Sequence, residues 1–179
     1  MSPPVERVGR ADSVDRVSDL PSIELVRSLP AYFEKTVPDD YIDENGHMNI
    51  TRYFELGAWA PWLRVGELGV GDSYIPERGL SFFTVEHHVR YLGELRLGDP
   101  LSVRPAFVGR TPKALHGISF VVDESRDKIA CTMEILYVHV SMETRRSVEI
   151  PDDVATALDG EIAQRAWALG AATGLTLRR

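Results

Sequence analysis

The sequence has a single cysteine, Cys131, among its 179 residues. One thiol excludes a disulfide within the chain and any zinc site built from several cysteines. No compact spacing of His, Asp and Glu suits a metal either, so we predict neither a metal nor another cofactor. Because no second cysteine or basic residue stands close to Cys131, we expect a buried and inert thiol.

Positive charge is also scarce, since 20 Lys and Arg oppose 27 Asp and Glu for a net charge of −7. Affinity for nucleic acids depends on cations that neutralise phosphates, so this balance argues against a nucleic-acid partner. An anionic ligand would need a local group of cations. Two turns of the chain offer such cations as candidate phosphate contacts: Arg110 and Lys113 in one, Arg145 and Arg146 in the other.

Long apolar segments are missing. Met1–Leu20 alternates charges without an apolar core, which is not the pattern of a secretory signal. The uncharged stretch Ala166–Leu177 is too short to span a bilayer. We therefore expect a cytoplasmic protein with no membrane partner, and the single thiol is compatible with a reducing compartment.

The apolar pattern that remains predicts an α+β domain. Ala31–Val37 alternates as a first strand, and apolar residues from Ile50 to Val65 have helical spacing with Asn49 as the N-cap. Pro61 should kink this helix or begin a second one. Gly66–Gly79 is predicted to be a loop.

Four β-rich segments and a last helix follow. The strands are predicted at Leu80–Leu95, Leu101–Val108, Ala114–Val122 and Lys128–Met142, and the helix at Pro151–Leu169. Pro105 indicates a bulge or an edge position in its strand. This order predicts a long central helix wrapped by a curved antiparallel sheet. We place the domain at residues 30–150, a partly disordered N-terminal arm at 1–29, with 1–20 disordered, and a C-terminal helix and tail at 151–179.

The polar segment before the first long helix is the first candidate site. Gly46 permits a tight backbone path, and the helix start presents unpaired N–H groups that can hold an oxyanion. Asp43 lies three residues before Gly46, so its carboxylate can lie beside that site. A carboxylate next to oxyanion donors is the minimum apparatus for acyl transfer. The same residue types also serve as caps and turn formers.

The motif Asp43-x-x-Gly46-His47-Met48-Asn49, followed by Tyr53, resembles the acyl-CoA thioesterases of the hotdog fold, the relatives of 4-hydroxybenzoyl-CoA thioesterase. The resemblance covers about Ala31 to Ile150. Phe82–Asp99 and His139–Pro151 are similar to the thioesterases associated with carnitine breakdown, which cleave betainyl-CoA. The helix departs from that pattern at Trp59-Ala60-Pro61-Trp62.

The resemblance implies a role for each residue of the motif. Asp43 is the catalytic carboxylate, acting either as the general base toward water or as a nucleophile that forms an anhydride. Backbone N–H groups around Gly46–Met48 form the oxyanion hole, and His47 and Asn49 support the loop or contact substrate. Glu55, Glu86 and His88 are the next candidates for the base.

The remaining candidates are substrate-binding side chains. Aromatic surface suits a trimethylammonium acyl group, although core packing explains aromatic residues equally well. The set comprises Tyr53, Trp59, Trp62, Phe82, Phe83 and His88. We expect His116 and His139 to lie on a strand surface or at an interface.

The resemblance therefore implies hydrolysis of a small acyl-CoA, with betainyl-CoA as one candidate, to a free acid and CoA. It also implies a homodimer or homotetramer whose active sites lie at the dimer interface. Two alternatives stay open, namely a hotdog dehydratase or hydratase and a non-catalytic hotdog domain that binds or senses acyl-CoA.

Overall fold

The structure, a computed structural model, describes residues 20–177. The disorder predicted for the start of the N-terminal arm lies outside the described residues, apart from Leu20. The helices are α1 (Ile23–Arg27), α2 (Ile50–Glu67), α3 (Tyr74–Arg78) and α4 (Asp152–Gln164), with 3-10 turns at Asp39–Tyr41 and Ala166–Ala171. The strands are β1 (Phe33–Thr36), β2 (Leu80–Tyr91), β3 (Pro100–Arg110), β4 (Ala114–Asp123) and β5 (Lys128–Ser141).

The five strands form one antiparallel sheet in the order β1-β3-β4-β5-β2. This curled sheet wraps α2, which packs against β3, β4 and β5. The predicted α+β architecture is therefore confirmed. Strand β2 is an edge, and its pairing with β5 shifts register between Thr84 and Glu86, which leaves Val85 as a bulge.

The two faces of the sheet carry separate cores because side chains alternate along each strand. Met133, Ile135 and Tyr137 of β5 lie in the core beneath α2 and α4. The opposite face is covered by the N-terminal arm and the turn after α4, through residues such as Val26 and Ala168. Residues 21–29 are thus docked on the sheet.

Several predicted elements need correction. The segment predicted as the loop Gly66–Gly79 contains the end of α2 and all of α3. The last helix is shorter than predicted and ends at Gln164 before the 3-10 turn. Pro105 does occupy an edge-like position, because β1 pairs with β3 only as far as Val103, so the missing N–H breaks no bond to β1.

The expected start of a second helix at Pro61 is wrong, because α2 runs unbroken from Ile50 to Glu67. Proline has no N–H to donate to the carbonyl four residues earlier, here Gly57. The Ser119 hydroxyl of β4 donates to that carbonyl instead, at 2.7 Å, and Ser119 is fully buried. The sheet thereby supplies the hydrogen bond that the helix lacks.

Ser119→Ala should lower the free energy of unfolding by about 1–3 kcal/mol, because it leaves the buried Gly57 carbonyl without a donor. Pro61→Ala restores a backbone N–H at that position, so Ser119→Ala should cost much less in the Pro61→Ala background. Chemical denaturation of the four proteins of this cycle measures the coupling. Additive effects would show that the Ser119 hydroxyl does not replace the missing helix bond.

Candidate active site

The segment before α2 folds back on itself as a tight turn. Ile42 and Met48 form an antiparallel bridge, and the Gly46 N–H donates to the Asp43 carbonyl at 3.0 Å. Gly46 has a φ of 79°, a left-handed conformation that favours glycine. The turn places the Asp43 side chain, only 12% exposed, beside the start of α2.

Asn49 joins this turn to the helix. Its Oδ1 accepts from the Thr51 N–H at 2.9 Å, which confirms the predicted N-cap. Its Nδ2 donates to Asp43 Oδ2 at 3.3 Å, while Asp43 Oδ1 accepts from the Asn45 N–H at 2.9 Å. Both carboxylate oxygens are therefore held.

The predicted oxyanion donors need a correction. The Gly46 N–H is used within the turn, and the Met48 N–H donates to the Leu95 carbonyl at 2.7 Å. Both are engaged because the turn is hydrogen-bonded to itself and to the segment after β2. Within residues 20–177, neither the His47 N–H nor the Ile50 N–H donates to a backbone carbonyl in a turn or loop. Ile50 is the first residue of α2, where the helix offers no acceptor.

A cavity of about 190 Å³ opens at this end of α2, lined by His47, Met48, Ile50, Tyr53, Tyr91, Gly93 and Glu94. It brings together three predicted site residues, His47, Met48 and Tyr53. His47 also connects the cavity to the carboxylate, because its Nδ1 lies 3.9 Å from Asp43 Oδ1.

Tyr53 is one of the residues that line this cavity. Its hydroxyl accepts from the Leu95 N–H at 2.9 Å and lies 3.3 Å from the Gly93 carbonyl. Burial raises the pKa of Tyr53 to about 12, although the hydrogen bond from the Leu95 N–H opposes this shift. Because the hydroxyl is hydrogen-bonded to the backbone after β2, only the ring of Tyr53 is left to line the cavity.

A second cavity, of about 230 Å³, lies along the later turns of α2 and is lined by Ala58, Trp59, Trp62, Phe82, Thr84 and Tyr137. It unites three of the predicted substrate-binding residues, Trp59, Trp62 and Phe82. Phe83 is not among them, because alternation along β2 turns its ring away. The Arg145 guanidinium lies 5.5 Å from the centre of that ring instead.

The Asp43 turn and the aromatic cavity of one chain are well separated. Ala58 follows Asn49 by nine residues, which corresponds to about 14 Å along a helix. Along α2, Phe54 contacts His87 of β2 with ring centres 4.8 Å apart, and Trp62 lies near Phe82. Helix α2 therefore runs antiparallel to the edge strand, with the Asp43 turn near one end of β2 and the aromatic cavity near the other.

The four cations predicted to contact phosphates differ in their surroundings. Arg110 forms a two-pronged ion pair with Asp159 of α4, at 2.7 and 2.5 Å, so its guanidinium is already engaged. Lys113, Arg145 and Arg146 are exposed. They lie near one another at the end of β5, because the Lys113 and Arg146 carbonyls accept from the His139 and Ser141 N–H groups.

The structure places His88 away from Asp43 and from both cavities. Its Nδ1 lies 3.0 Å from Glu134 Oε1, on the face of the sheet opposite α2. Glu134 is 1% exposed and also accepts from the Gly174 and Leu175 N–H groups of the C-terminal segment. His88 and Glu134 thus anchor the chain end on the sheet.

His116 and His139 were expected on a strand surface or at an interface, but the fold of the single chain already buries them, to 3% and 0% exposure. His116 Nε2 lies 3.3 Å from Glu134 Oε2. His139 is hydrogen-bonded to the Tyr74 hydroxyl at 2.8 Å and to the Val148 carbonyl at 3.1 Å. Burial lowers the pKa of His139, so the ring is held neutral between these partners.

Three further candidates are placed as follows. Glu55 is exposed and pairs with Arg52 at 3.1 Å, and Glu86 is exposed on the edge strand. Cys131 is buried, and burial raises the pKa of its thiol to about 12. Among residues 20–177, no group of three or more His, Cys, Asp and Glu side chains is arranged to hold a metal ion.

Sequence reasoning missed two residues. Tyr137 lines the aromatic cavity, and its alternation with Met133 and Ile135 signalled the correct face. Glu134 is the buried partner of two histidines. No local sequence pattern predicts this role, because its partners lie 40 or more residues away in the sequence or on another strand.

Comparison with known proteins defines the class of this fold. The family model of the thioesterase-like superfamily matches residues 37–158. The chain belongs to that superfamily and has the hotdog fold. A Staphylococcus aureus protein solved in complex with CoA superposes with a TM-score of 0.73 at 23% identity, covering 84% of this chain and 97% of that one.

Two curated relatives carry more specific names. The L-carnitine dehydrogenase/betainyl-CoA thioesterase of Rhizobium meliloti is 31% identical over 66% of this chain and 24% of its own length. The betainyl-CoA thioesterase of Pseudomonas aeruginosa is 26% identical over 71% of this chain and 80% of its own length. The chain spans about a quarter of the length of the first curated relatives that it matches. No helix within residues 20–177 is long and apolar enough to cross a bilayer.

The anchor of the chain end at Glu134 generates a pH prediction. Burial opposes the charge of Glu134, but hydrogen bonds from His116, His88 and the two backbone amides outweigh it and lower the pKa from 4.5 to about 2. The unfolded chain therefore binds the proton more tightly than the folded chain. The stability contributed by this carboxylate is complete above pH 4.5 and is lost as the pH falls through about 2.

Glu134→Gln should lower the free energy of unfolding by about 1–3 kcal/mol at neutral pH. The gap between the variant and the wild type should shrink as the pH falls from 4.5 to about 2. Denaturant titrations at several pH values measure it, with the exposed Glu143→Gln as the matched control. A gap that stays constant down to pH 2 would contradict the assignment of the low pKa to Glu134.

Proposed function

We propose that this chain hydrolyses the thioester of a small acyl-CoA to a free acid and CoA. The observation that carries the proposal is the Asp43 carboxylate, which the Asn45 N–H and the Asn49 side chain hold next to the start of α2. The curated relative that is matched over most of its length is a thioesterase. A cytoplasmic location is part of the proposal, supported by the single buried thiol of Cys131.

In this mechanism the two parts of the site act on the two atoms of the thioester carbonyl group, the amides on its oxygen and Asp43 on the attack at its carbon. The His47 and Ile50 N–H groups and the positive end of α2 stabilise the negative charge that grows on the carbonyl oxygen. Asp43 either takes a proton from the water that attacks the carbonyl carbon, or attacks that carbon itself; in both routes the C–S bond breaks and CoA leaves as the thiolate, and in the second route water then opens the anhydride. Asn49 keeps one carboxylate oxygen fixed in both routes.

The aromatic cavity is the proposed acyl site. Trp59, Trp62 and Phe82 offer ring faces, which attract a quaternary ammonium group. Betainyl-CoA is therefore the first named substrate to test, together with short linear, long linear and aromatic acyl-CoA. The exposed cations Lys113, Arg145 and Arg146 lie at the same end of the sheet and are the proposed contacts for CoA phosphates.

The proposed assembly is a homodimer formed through the edge strand β2, which can pair again into a tetramer. About 14 Å of helix separates the Asp43 turn from the acyl cavity of the same chain, too far for a small acyl group. If two β2 strands pair antiparallel about their centre near Val85, the start of one α2 faces the aromatic cavity of the other chain. The exposed apolar residues Phe54, Val85 and Tyr91 would be covered by this pairing.

The dimer predicts a particle of twice the 20.0 kDa chain mass in light scattering at micromolar concentration. Val85→Lys places a charge at the centre of the proposed seam and should shift the particle toward a monomer and reduce hydrolysis together. Leu97→Lys, at an exposed position in the turn before β3, is the matched control. A wild-type monomer with full activity would overturn the shared site.

Asp43→Asn should lower kcat by about 10²–10⁴-fold, because the amide can neither accept a proton from water nor form an anhydride. The free energy of unfolding should change by about 1 kcal/mol or less, since Asn is itself a good turn and cap residue. Release of free thiol from the acyl-CoA panel measures kcat, and thermal melting measures stability.

The control for this experiment is Asp40→Asn, an exposed aspartate in the 3-10 turn before the site. It removes the same charge and should leave kcat unchanged. An Asp43→Asn enzyme that keeps more than about a tenth of wild-type kcat would contradict the catalytic role and would support a turn-forming role alone.

A further inference from the structure

Arg145 has an unusual backbone conformation for its residue type. Its φ is 59°, a left-handed value that is strained for residues other than glycine, asparagine and aspartate. Among residues 20–177, Asp127 is the one other non-glycine residue with a positive φ. Aspartate tolerates this conformation in turns, and the Arg27 guanidinium donates to Asp127 at 2.6 Å. Residue type and a local partner therefore account for Asp127 but not for Arg145.

Hydrogen bonds fix the turn that carries Arg145. The Arg145 N–H donates to the Ser141 carbonyl at 2.9 Å, and the Met142 N–H donates to the Gly79 carbonyl at 2.8 Å. The second bond ties the turn to the start of β2. Strained residues that the fold holds in this way cluster at ligand sites, where the strain is part of a functional geometry.

The Arg145 side chain is held by an aromatic ring instead of an acid. Its guanidinium lies over the Phe83 ring, 5.5 Å from the ring centre, and Phe83 is 36% exposed. In the part of the chain that the structure describes, Arg145 has no ion pair, and its one side-chain hydrogen bond is a weak 3.8 Å contact with the Met142 sulfur. Arg78, by contrast, forms a two-pronged ion pair with Asp153, at 3.0 and 2.6 Å. The donors of Arg145 are therefore available to an anion from solution.

We propose that Arg145 is the specificity-determining contact for a phosphate group of CoA, and that Phe83 is the positioning residue that orients its guanidinium. The inference rests on the proposed thioesterase function and deepens it, because it ranks Arg145 above the neighbouring cations Lys113 and Arg146. A guanidinium stacked on a ring keeps free the edge that forms paired hydrogen bonds with phosphate oxygens. The side chains of Lys113 and Arg146 have no bonded partner among the described residues that would orient them.

The position of this pair matches the nucleotide half of CoA. In the proposed dimer, the start of β2 faces the start of the other chain's α2, where the thioester reacts. Phe83 lies on the face of the sheet opposite α2, because its neighbours Phe82 and Thr84 line the aromatic cavity. CoA then extends past the sheet edge onto this surface. Two of its groups share the required chemistry, namely the diphosphate bridge and the 3′-phosphate of the ribose.

Calorimetry with CoA itself tests the contact without any turnover. Arg145→Ala should weaken CoA binding by about 10- to 100-fold, as expected for lost hydrogen bonds between charged groups. Arg146→Ala should weaken it by about 5-fold or less, since exposed charge pairs contribute little. Lys128→Ala removes an exposed charge at the other end of β5 and is the matched control. Equal effects of Arg145→Ala and Arg146→Ala, or no effect of Arg145→Ala, would overturn the proposal.

Dephospho-CoA, which lacks the 3′-phosphate, separates the two phosphate sources. If Arg145 contacts the 3′-phosphate, the wild type should prefer CoA, and Arg145→Ala should bind both ligands equally. If Arg145 contacts the diphosphate, the variant should lose the same factor with both ligands. Either result supports the proposal, and unchanged affinity for both ligands contradicts it.

The positioning role of Phe83 is tested by its coupling to Arg145. Phe83→Leu removes the ring and should weaken CoA binding by about 2- to 5-fold, while Phe83→Tyr keeps a ring and should retain the wild-type affinity. In the Arg145→Ala background, Phe83→Leu should have no further effect. The same loss in both backgrounds would show that Phe83 acts independently of Arg145, which overturns its assignment.

Arg145→Gly separates a lost contact from a disturbed turn. Glycine accepts the left-handed conformation, so affinity for CoA should fall while the melting temperature stays close to or rises above that of the wild type. In hydrolysis, this variant should raise KM with kcat nearly unchanged. A lower affinity accompanied by a melting temperature several degrees lower would assign the effect to the turn and overturn the proposal. Arg145-dependent CoA binding without hydrolysis of any acyl-CoA keeps the proposal and overturns the thioesterase function instead.

Discussion

The side chain of Asn49 is the constraint on which the candidate site depends. Its carbonyl oxygen caps α2 through the Thr51 N–H, and its amide group donates to the Asp43 carboxylate. One short side chain therefore sets both the start of the helix and the place of the acid. Because the unpaired amides at the helix start and the carboxylate share this connection, their relative positions cannot drift independently.

In the proposed dimer, the curled sheet around α2 extends this constraint to a second chain. The helix carries the Asp43 turn at one end and the aromatic cavity at the other, and the edge strand β2 runs beside both. An edge strand has one side whose main-chain N–H and C=O groups can still form hydrogen bonds with another chain. In the proposed dimer, two incomplete halves become two complete sites by symmetry alone.

Sequence reasoning succeeded where the signal is local and failed where partners are distant. The cap at Asn49, the turn at Gly46 and the alternation of β5 were predictable, because each depends on neighbours within a few residues. The second helix that was one of the two expectations at Pro61 does not form, and Ser119, which is 62 residues away in the sequence, donates to the Gly57 carbonyl. His116 and His139 were expected near the surface for the same reason, because their buried partners Glu134 and Tyr74 lie on other elements.

Distant partners also satisfy buried polar groups in the core and at the chain end. Glu134 holds the chain end through the Gly174 and Leu175 amides, and Ser119 completes α2. These bonds join residues 40 to 62 positions apart in the sequence, so they depend on the folded arrangement of the sheet and α2. Within residues 20–177 the buried Tyr137 hydroxyl lacks such a partner, so the core beneath α2 carries a free-energy cost there that the bonded hydroxyls of Tyr53 and Ser119 avoid.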